Sequence, residues 1–387
     1  MRVMIVAGEA SGDLHGSHLV RQILRLRPGV RFFGVGGRLM AEAGVDILHD
    51  VTRQSVIGFT EALKSVRPLR RVQEQLALLL EEERPDVFVP IDFPSFNLKL
   101  AAKARMLRIP VVYYFSPSTW AWGAKRAELV ANAGMNVCSV FPFEAEVYRK
   151  AGANVIYVGH PLLDIVKTDL ETEKARELLG LPSGGPVLAL LPGSRTQEIR
   201  RLLRPMVSAF ELLRAEMPDL VGVVPAAHTT PVSSLEELIG DAPIHIVEGQ
   251  THAALRAADA AVITSGTATL EAAILGTPQV MVYKLSSVSY GIAKRLVRIR
   301  HVALPNIVAG KEIVKELLQD AVTPQAIADA VRPLFHDAEA VRRMRQDYAD
   351  VVRRLGRQGA VERAAKVVLA AAEQELVDPE KYALREA

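Results

Sequence analysis

Short apolar runs separated by longer amphipathic segments recur along the chain, and this alternation restricts the fold more than any other feature. Val3–Ala7, Phe32–Val35, Val87–Ile91, Val111–Phe115, Val137–Val140 and Val155–Val158 form a first series. Val187–Leu191, Leu220–Val224, Ile244–Val247, Ala260–Thr264 and Gln279–Val282 form a second. Apolar runs this short, joined by amphipathic segments long enough for crossover helices, predict an open parallel α/β sheet in each half. Between the series, from Pro161 to about Gly185, lie the charged run Lys167 to Glu177 and the breakers Pro182, Gly184 and Gly185, which mark a linker. At 387 residues the chain suits two domains better than one core. The expected division is 1–165 and 166–345, with a C-terminal helical segment, 346–387, crossing back to the first domain. The predicted architecture is two doubly wound, Rossmann-like domains facing across a cleft, with ligands at the carboxyl ends of the strands.

Composition narrows the function. Burial is not limiting with 49% hydrophobic residues, and the lone cysteine, Cys138, excludes an intrachain disulfide and a Cys-cluster metal site. Val3–Ala7 is too short for a signal-peptide core, and no apolar stretch reaches the roughly 18 residues of a spanning helix. A cytoplasmic protein is expected. The net charge is +3, with basic clusters at Lys64 to Arg71, Arg200 to Arg204 and Lys294 to His301. Aromatics make up 5% of the residues and do not interleave with those clusters, so nucleic acid is not indicated as a partner.

The unusual loops all fall at strand ends. Ala261–Thr264 stops at Ser265-Gly266-Thr267 and restarts as an alanine-rich helix from Ala268, with Gly276 and Pro278 closing it. Such a turn brings unpaired N–H groups and a helix dipole to one point, a ready anion site; an ordinary capped βα unit reads the same way. Glu271, one turn in, is placed to reach the hydroxyls of a ribose whose phosphates sit at the helix start. Leu191-Pro192-Gly193-Ser194-Arg195 repeats the pattern, and a guanidinium beside backbone donors complements a pyrophosphate. In the first half, Gly8-Glu9-Ala10-Ser11-Gly12-Asp13 follows the first strand, with Ser11 or Asp13 able to cap the next helix. It is not the dinucleotide fingerprint, so no nicotinamide cofactor is expected. Asp92 ends Val87–Ile91 among Phe93, Pro94 and Phe96, a setting that limits solvent and raises proton affinity, as a general base for an alcohol needs; a turn cap is the plainer reading. Ser116 to Gly123 holds both tryptophans, Trp120 and Trp122, as pocket wall or packing. His160 lies at the domain junction, where a hinge role is the plainer reading, and Asn306 is able to bond a sugar or base.

Gly8-Glu-Ala-Ser-Gly-Asp13, Ile91-Asp92 with Asn97, Ser116-Pro-Ser-Thr-Trp-Ala-Trp122, Gly159-His-Pro161, Leu191-Pro-Gly-Ser-Arg195, Ser265-Gly-Thr-Ala-Thr-Leu-Glu271 and Leu304-Pro-Asn306 together resemble the lipid-A-disaccharide synthases in kind and order. The resemblance implies a GT-B-type fold and an inverting glycosyltransferase of Gram-negative lipopolysaccharide synthesis. The reaction implied joins UDP-2,3-diacylglucosamine to 2,3-diacylglucosamine 1-phosphate, giving a β-1,6-linked disaccharide and UDP. Asp92 is then the base. Gly193, Ser194, Arg195, Ser265, Gly266, Thr267, Ala268, Glu271 and Asn306 hold the nucleotide. Glu9, Ser11, Asp13, Asn97, Ser116, Trp120, Trp122 and His160 line the sugar loops. One departure is Pro94-Ser95-Phe96-Asn97 where the family usually has Pro-Asp-Phe-Asn, so no role for a second carboxylate is carried over. With no Asp-x-Asp pair or His cluster in these loops, neither a metal nor another cofactor is expected. A UDP-N-acetylglucosamine epimerase is the alternative, sharing the nucleotide turns without an acyl-chain surface.

Doubly acylated substrates place such an enzyme at the inner face of the inner membrane. Val56, Ile57 and Phe59 form an apolar segment, followed by Lys64, Arg67, Arg70 and Arg71 interleaved with apolar residues. Apolar insertion beside cationic charge suits an anionic lipid surface, whereas a helix packed on the sheet with a wet basic face is the alternative. A homodimer is left open.

Overall fold

The central strands explain the architecture, because they are apolar along almost their whole length and can only be satisfied with helices on both faces. The computed structural model describes residues 1–50, 59–117, 125–167, 169–227, 230–286, 290, 291 and 300–384, with 59–67, 125 and 126 described by backbone alone. It divides into two compact units. Met1–Asp164 and Leu355–Ala387 make up the bulk of the first, and Ile165–Tyr290 with Ile299–Arg354 makes up the second.

In the first unit β1 (Arg2–Ala7), β2 (Arg31–Val35), β3 (Val45–His49), β4 (Val87–Ile91), β5 (Val112–Tyr114), β6 (Asn136–Ser139) and β7 (Asn154–Tyr157) form one parallel sheet. Its order is β3-β2-β1-β4-β5-β6-β7, so the winding reverses between β1 and β4. Pairing of Ala7 with Ile91 sets the Gly8 loop beside Asp92 at that reversal. Met4, Val6, Phe88, Tyr113 and Val137 are fully buried between the sheet and its helices. Helix Ala360–Ala372 packs on helix Ala10–Leu26. Asp164 accepts hydrogen bonds from Gly359 and Val361 N, and Arg363 Nε donates to Val158 O at 2.8 Å, so the last segment is tied to the end of β7.

The second unit holds β8 (Val187–Leu191), β9 (Val221–Ala226), β10 (Ile244–Glu248), β11 (Ala260–Thr264), β12 (Gln279–Tyr283) and β13 (Lys315–Leu318), ordered β10-β9-β8-β11-β12-β13 and parallel. The reversal here lies between β8 and β11. Helix Thr196–Glu216 buries Ile199, Leu202, Leu203, Met206, Phe210 and Leu213, an i, i+3, i+4, i+7 stripe that faces the sheet and helix Pro324–His336. Two strands escape a search for apolar runs, β3 and β13. Both lie at sheet edges and neither is buried throughout. Among the described residues, no helix is long and apolar enough to cross a membrane.

Candidate active site

The loops after β1 and β4 in the first sheet, and those after β8 and β11 in the second, leave the carboxyl ends of the strands at the winding reversal, the position where open α/β sheets bind ligands. In the first unit the loops follow β1 and β4. Asp92 and Phe93 have φ of 44° and 50°, and Phe115, at the end of β5, has φ of 52°. Left-handed backbone at non-glycine residues costs about 1–3 kcal/mol each and persists only where the surroundings impose it. Here they do. Asp92 N donates to Phe115 O at 3.0 Å, while Asp92 O accepts from Asn97 Nδ2 at 2.8 Å and Tyr113 Oη at 2.9 Å. Phe93 packs so closely on Gly8 that a Cβ there would stand 2.4 Å from its ring, which requires glycine at that position. The half-buried Asp92 is thus presented on a rigid backbone.

Two residues expected in the sugar loops have other work. Asn97 is fully buried, and Nδ2 also donates to Val6 O and Ile91 O, so it clamps the ends of β1 and β4 beneath Asp92. Asp13 does not cap its own helix. Its carboxylate accepts from Gly37, Leu39 and Met40 N at 2.8, 3.1 and 3.0 Å and caps helix Arg38–Glu42. Glu9 is the N-cap of helix Ala10–Leu26 without a side-chain cap bond, and Glu9 and Ser11 remain partly exposed at its start. Ser116 is buried with no partner for Oγ among the described residues, and His160 is buried with Nδ1 accepting from Leu162 N. His15, which the sequence reading did not single out, stacks on Phe115 at 4.1 Å and meets His160 edge-on at 6.4 Å. Trp120, Trp122, Val56 and Ile57 lie outside the described residues, as do the side chains of Phe59, Lys64 and Arg67. Arg70 and Arg71 are exposed, with Arg70 paired to Glu74 at 3.0 Å.

In the second unit, β8 leads through Gly193, at φ 108°, to Ser194 and to Arg195, the N-cap of helix Thr196–Glu216. Arg195 Nη1 donates to Glu198 Oε1 at 2.8 Å, which orients the guanidinium at the helix start. A Cβ at Gly193 would lie 2.3 Å from Glu198 Oε2, and the left-handed φ of the turn favours glycine there whether or not that carboxylate shifts. After β11, Ser265, Gly266, Thr267 and Ala268 are partly exposed around the start of helix Ala268–Leu275, which has no side-chain cap. Among the described residues, nothing approaches within 4 Å of a Cβ built on Gly266, so its turn is open on that side. Glu271 is buried in the first turn, and desolvation pushes its carboxyl up to about 7. Asn306 is not presented to a ligand. Its Oδ1 accepts from Ile313 and Val314 N, and Nδ2 donates to Val314 O and Glu316 Oε1, all at 2.7–2.8 Å. Glu316 also accepts from Val302 and Ala303 N, and Ser265 Oγ donates to Val302 O. Asn306 and Glu316 therefore brace the segment that supports Ser265.

Comparison with known proteins follows the same lines. The family model described as "Lipid-A-disaccharide synthetase" matches residues 3–371. The lipid-A-disaccharide synthase of Myxococcus xanthus is 42% identical over 371 residues, covering 95% of this chain and 97% of that protein. The one from Syntrophus aciditrophicus is 39% identical over 370 residues, with the same coverage. The chain belongs to the lipid-A-disaccharide synthetase family. Solved structures similar to this family member include a putative UDP-N-acetylglucosamine 2-epimerase from Listeria monocytogenes, with TM-score 0.67 and 12% identity over 98% of both chains. Another is MurG from Acinetobacter baumannii, with TM-score 0.56 and 16% identity over 95% of this chain and 99% of that one. At these identities the likeness concerns the fold, which is the GT-B-like α/β fold expected from the sequence. The epimerase reading is not favoured, because the sequence relatives are lipid-A-disaccharide synthases.

Proposed function

We propose that the protein joins UDP-2,3-diacylglucosamine to 2,3-diacylglucosamine 1-phosphate, forming a β-1,6-linked disaccharide 1-phosphate and releasing UDP. The observation that carries this reading is the match to the synthetase family over residues 3–371, with the motifs after β1, β4, β8 and β11 at the two winding reversals. Asp92 takes the proton of the acceptor 6-hydroxyl as its oxygen bonds to the anomeric carbon, and the bond from that carbon to the UDP oxygen breaks with its electrons. One displacement inverts the anomeric centre. Arg195 and the N–H groups around Gly193–Ser194 and Gly266–Ala268 meet the charge left on UDP, and Glu271 accepts hydrogen bonds from the ribose hydroxyls. A single-turnover assay with both substrates, read by mass spectrometry of the disaccharide product, tests the reading. Epimerised donor without disaccharide would replace it.

Assigning charge neutralisation to protein groups has two consequences. Arg195→Ala and Glu271→Ala each weaken UDP binding by about tenfold or more, the usual cost of losing a charged hydrogen-bond partner. Activity in excess chelator stays at its untreated level. Activity abolished by chelator and restored by magnesium would move the neutralisation to a metal.

We place the protein on the cytoplasmic face of the inner membrane, through residues 55–71. Exposed Arg70 and Arg71 support this, at about 1 kcal/mol for each cation near anionic lipid. Combined Val56→Ser, Ile57→Ser and Phe59→Ser is expected to reduce vesicle binding with little change in melting temperature. Charge reversal at Lys64, Arg67, Arg70 and Arg71 weakens binding to anionic vesicles and lowers its salt sensitivity. Unchanged partitioning in both variants, or a large stability loss in the first, means that the lipids engage elsewhere.

A further inference from the structure

Glu271 stands on the first turn of helix Ala268–Leu275, one turn beyond Ser265-Gly266-Thr267. At the start of the neighbouring helix Thr251–Ala257, His252 holds Nε2 at 3.7 Å from Glu271 Oε2, with its side chain 31% exposed against 9% for the carboxylate. No step of the reaction above uses His252. We propose that His252 is a positioning residue of the nucleotide site, whose imidazolium keeps Glu271 ionised so that both carboxylate oxygens accept from the ribose diol. This rests on the assignment of Glu271 to the ribose.

The physical need for such a partner is clear from the burial of Glu271. Desolvation alone pushes its carboxyl to about 7, and an isolated carboxyl at that value is about one-eleventh ionised at pH 6 and ten-elevenths at pH 8. A protonated carboxyl turns one acceptor into a donor, which opposes a diol that donates twice. A proton placed on His252 instead removes this conflict below pH 7. At pH 8 the carboxyl is ionised without help, so the pair holds one proton at low pH and gives it up from the imidazole. Among the described residues, three charged groups on neighbouring helices have other partners. Arg256 donates to Leu170 O and Leu275 O, Arg345 donates to Gly276 O at the far end, and Asp347 pairs with Lys311. β11, β12 and helix Leu304–Ala309, which also pack around it, carry no charged residue.

The test is the KM for UDP-2,3-diacylglucosamine, whose pyrophosphate diester does not titrate in this range, measured at pH 6, 7 and 8. In the unmodified protein KM stays within about twofold across the range. In His252→Gln it rises about tenfold from pH 8 to pH 6, the ratio of the two ionised fractions, while the pH profile of kcat is unchanged. His252→Arg, which keeps a cation, restores the flat profile. A flat KM in His252→Gln, an equal shift at every pH, or failure of His252→Arg to restore it would overturn the proposal. Glu271→Gln separates the two assignments. A KM unaffected by Glu271→Gln means that Glu271 does not bind the ribose. If Glu271→Gln raises KM at every pH while His252→Gln stays flat, only the role of His252 is wrong. Melting temperatures of all three variants confirm that each is folded.

Discussion

Asp92→Asn is expected to lower disaccharide formation about a hundred- to ten-thousand-fold while UDP affinity changes by less than about twofold. The amide keeps the shape and the left-handed backbone of the residue, and the clamp from Asn97 and Tyr113 acts on the Asp92 main-chain oxygen, which the substitution leaves in place. What the variant loses is the ability to accept a proton from the attacking hydroxyl. UDP binding is assigned to groups of the second unit, so calorimetric titration with UDP serves as the internal control. If Asp92→Asn keeps more than about a third of the unmodified turnover, Asp92 is not the base. If UDP affinity falls along with turnover, the effect is on structure rather than on proton transfer.

The parts of the fold that could be read in advance are those whose physics is local. β1, β4, β8 and β11 are central and covered on both faces, so they are apolar apart from Arg2 at the start of β1 and Thr264 at the end of β11, and the motif loops follow directly from their ends. β3, with Asp46 and His49 among apolar residues, and β13, with Lys315 and Glu316 in four residues, carry no such run because part of each of these two edge strands meets solvent. The site shows the same division. Glycine turns at Gly193 and Gly266 are legible because their function is backbone geometry within a few residues. The roles of Asp13, Asn97 and Asn306 were not legible, since a polar side chain looks alike whether it faces a ligand or a distant main chain. Asp13 finds its partners at Gly37 to Met40 and Asn97 reaches Val6, connections that only the folded chain makes. Glu316 and His15 are the converse cases. One looks like an ordinary surface charge, the other like a residue on a helix face, until Val302, Asn306 and Phe115 are brought against them.

Acidification is expected to destabilise the first unit well before carboxylate protonation accounts for it, through His15 and His160. Both imidazoles are buried among Phe115, Phe141 and each other, and desolvation lowers their proton affinity, His160 to about 3 and His15 well below its ordinary value. The mutual repulsion of the two rings as cations lowers His15 further. The unfolded chain binds these protons near pH 6.5, whereas folded His160 stays neutral down to about pH 3. Stability from His160 is therefore complete above pH 6.5 and is lost as pH falls toward 3, at about 1.4 kcal/mol per pH unit. Between pH 7 and pH 5 the loss comes to about 2 kcal/mol, or roughly 4–8 °C in melting temperature for a unit of this size. His160→Asn removes the titration while its side-chain oxygen can still accept from Leu162 N, as Nδ1 does. In scanning calorimetry at pH 7, 6 and 5, the unmodified protein should lose melting temperature more steeply than His160→Asn, and His15→Gln combined with His160→Asn should be flatter still. Equal pH dependence in all three proteins would mean that the buried imidazoles are not the groups that take up protons on unfolding.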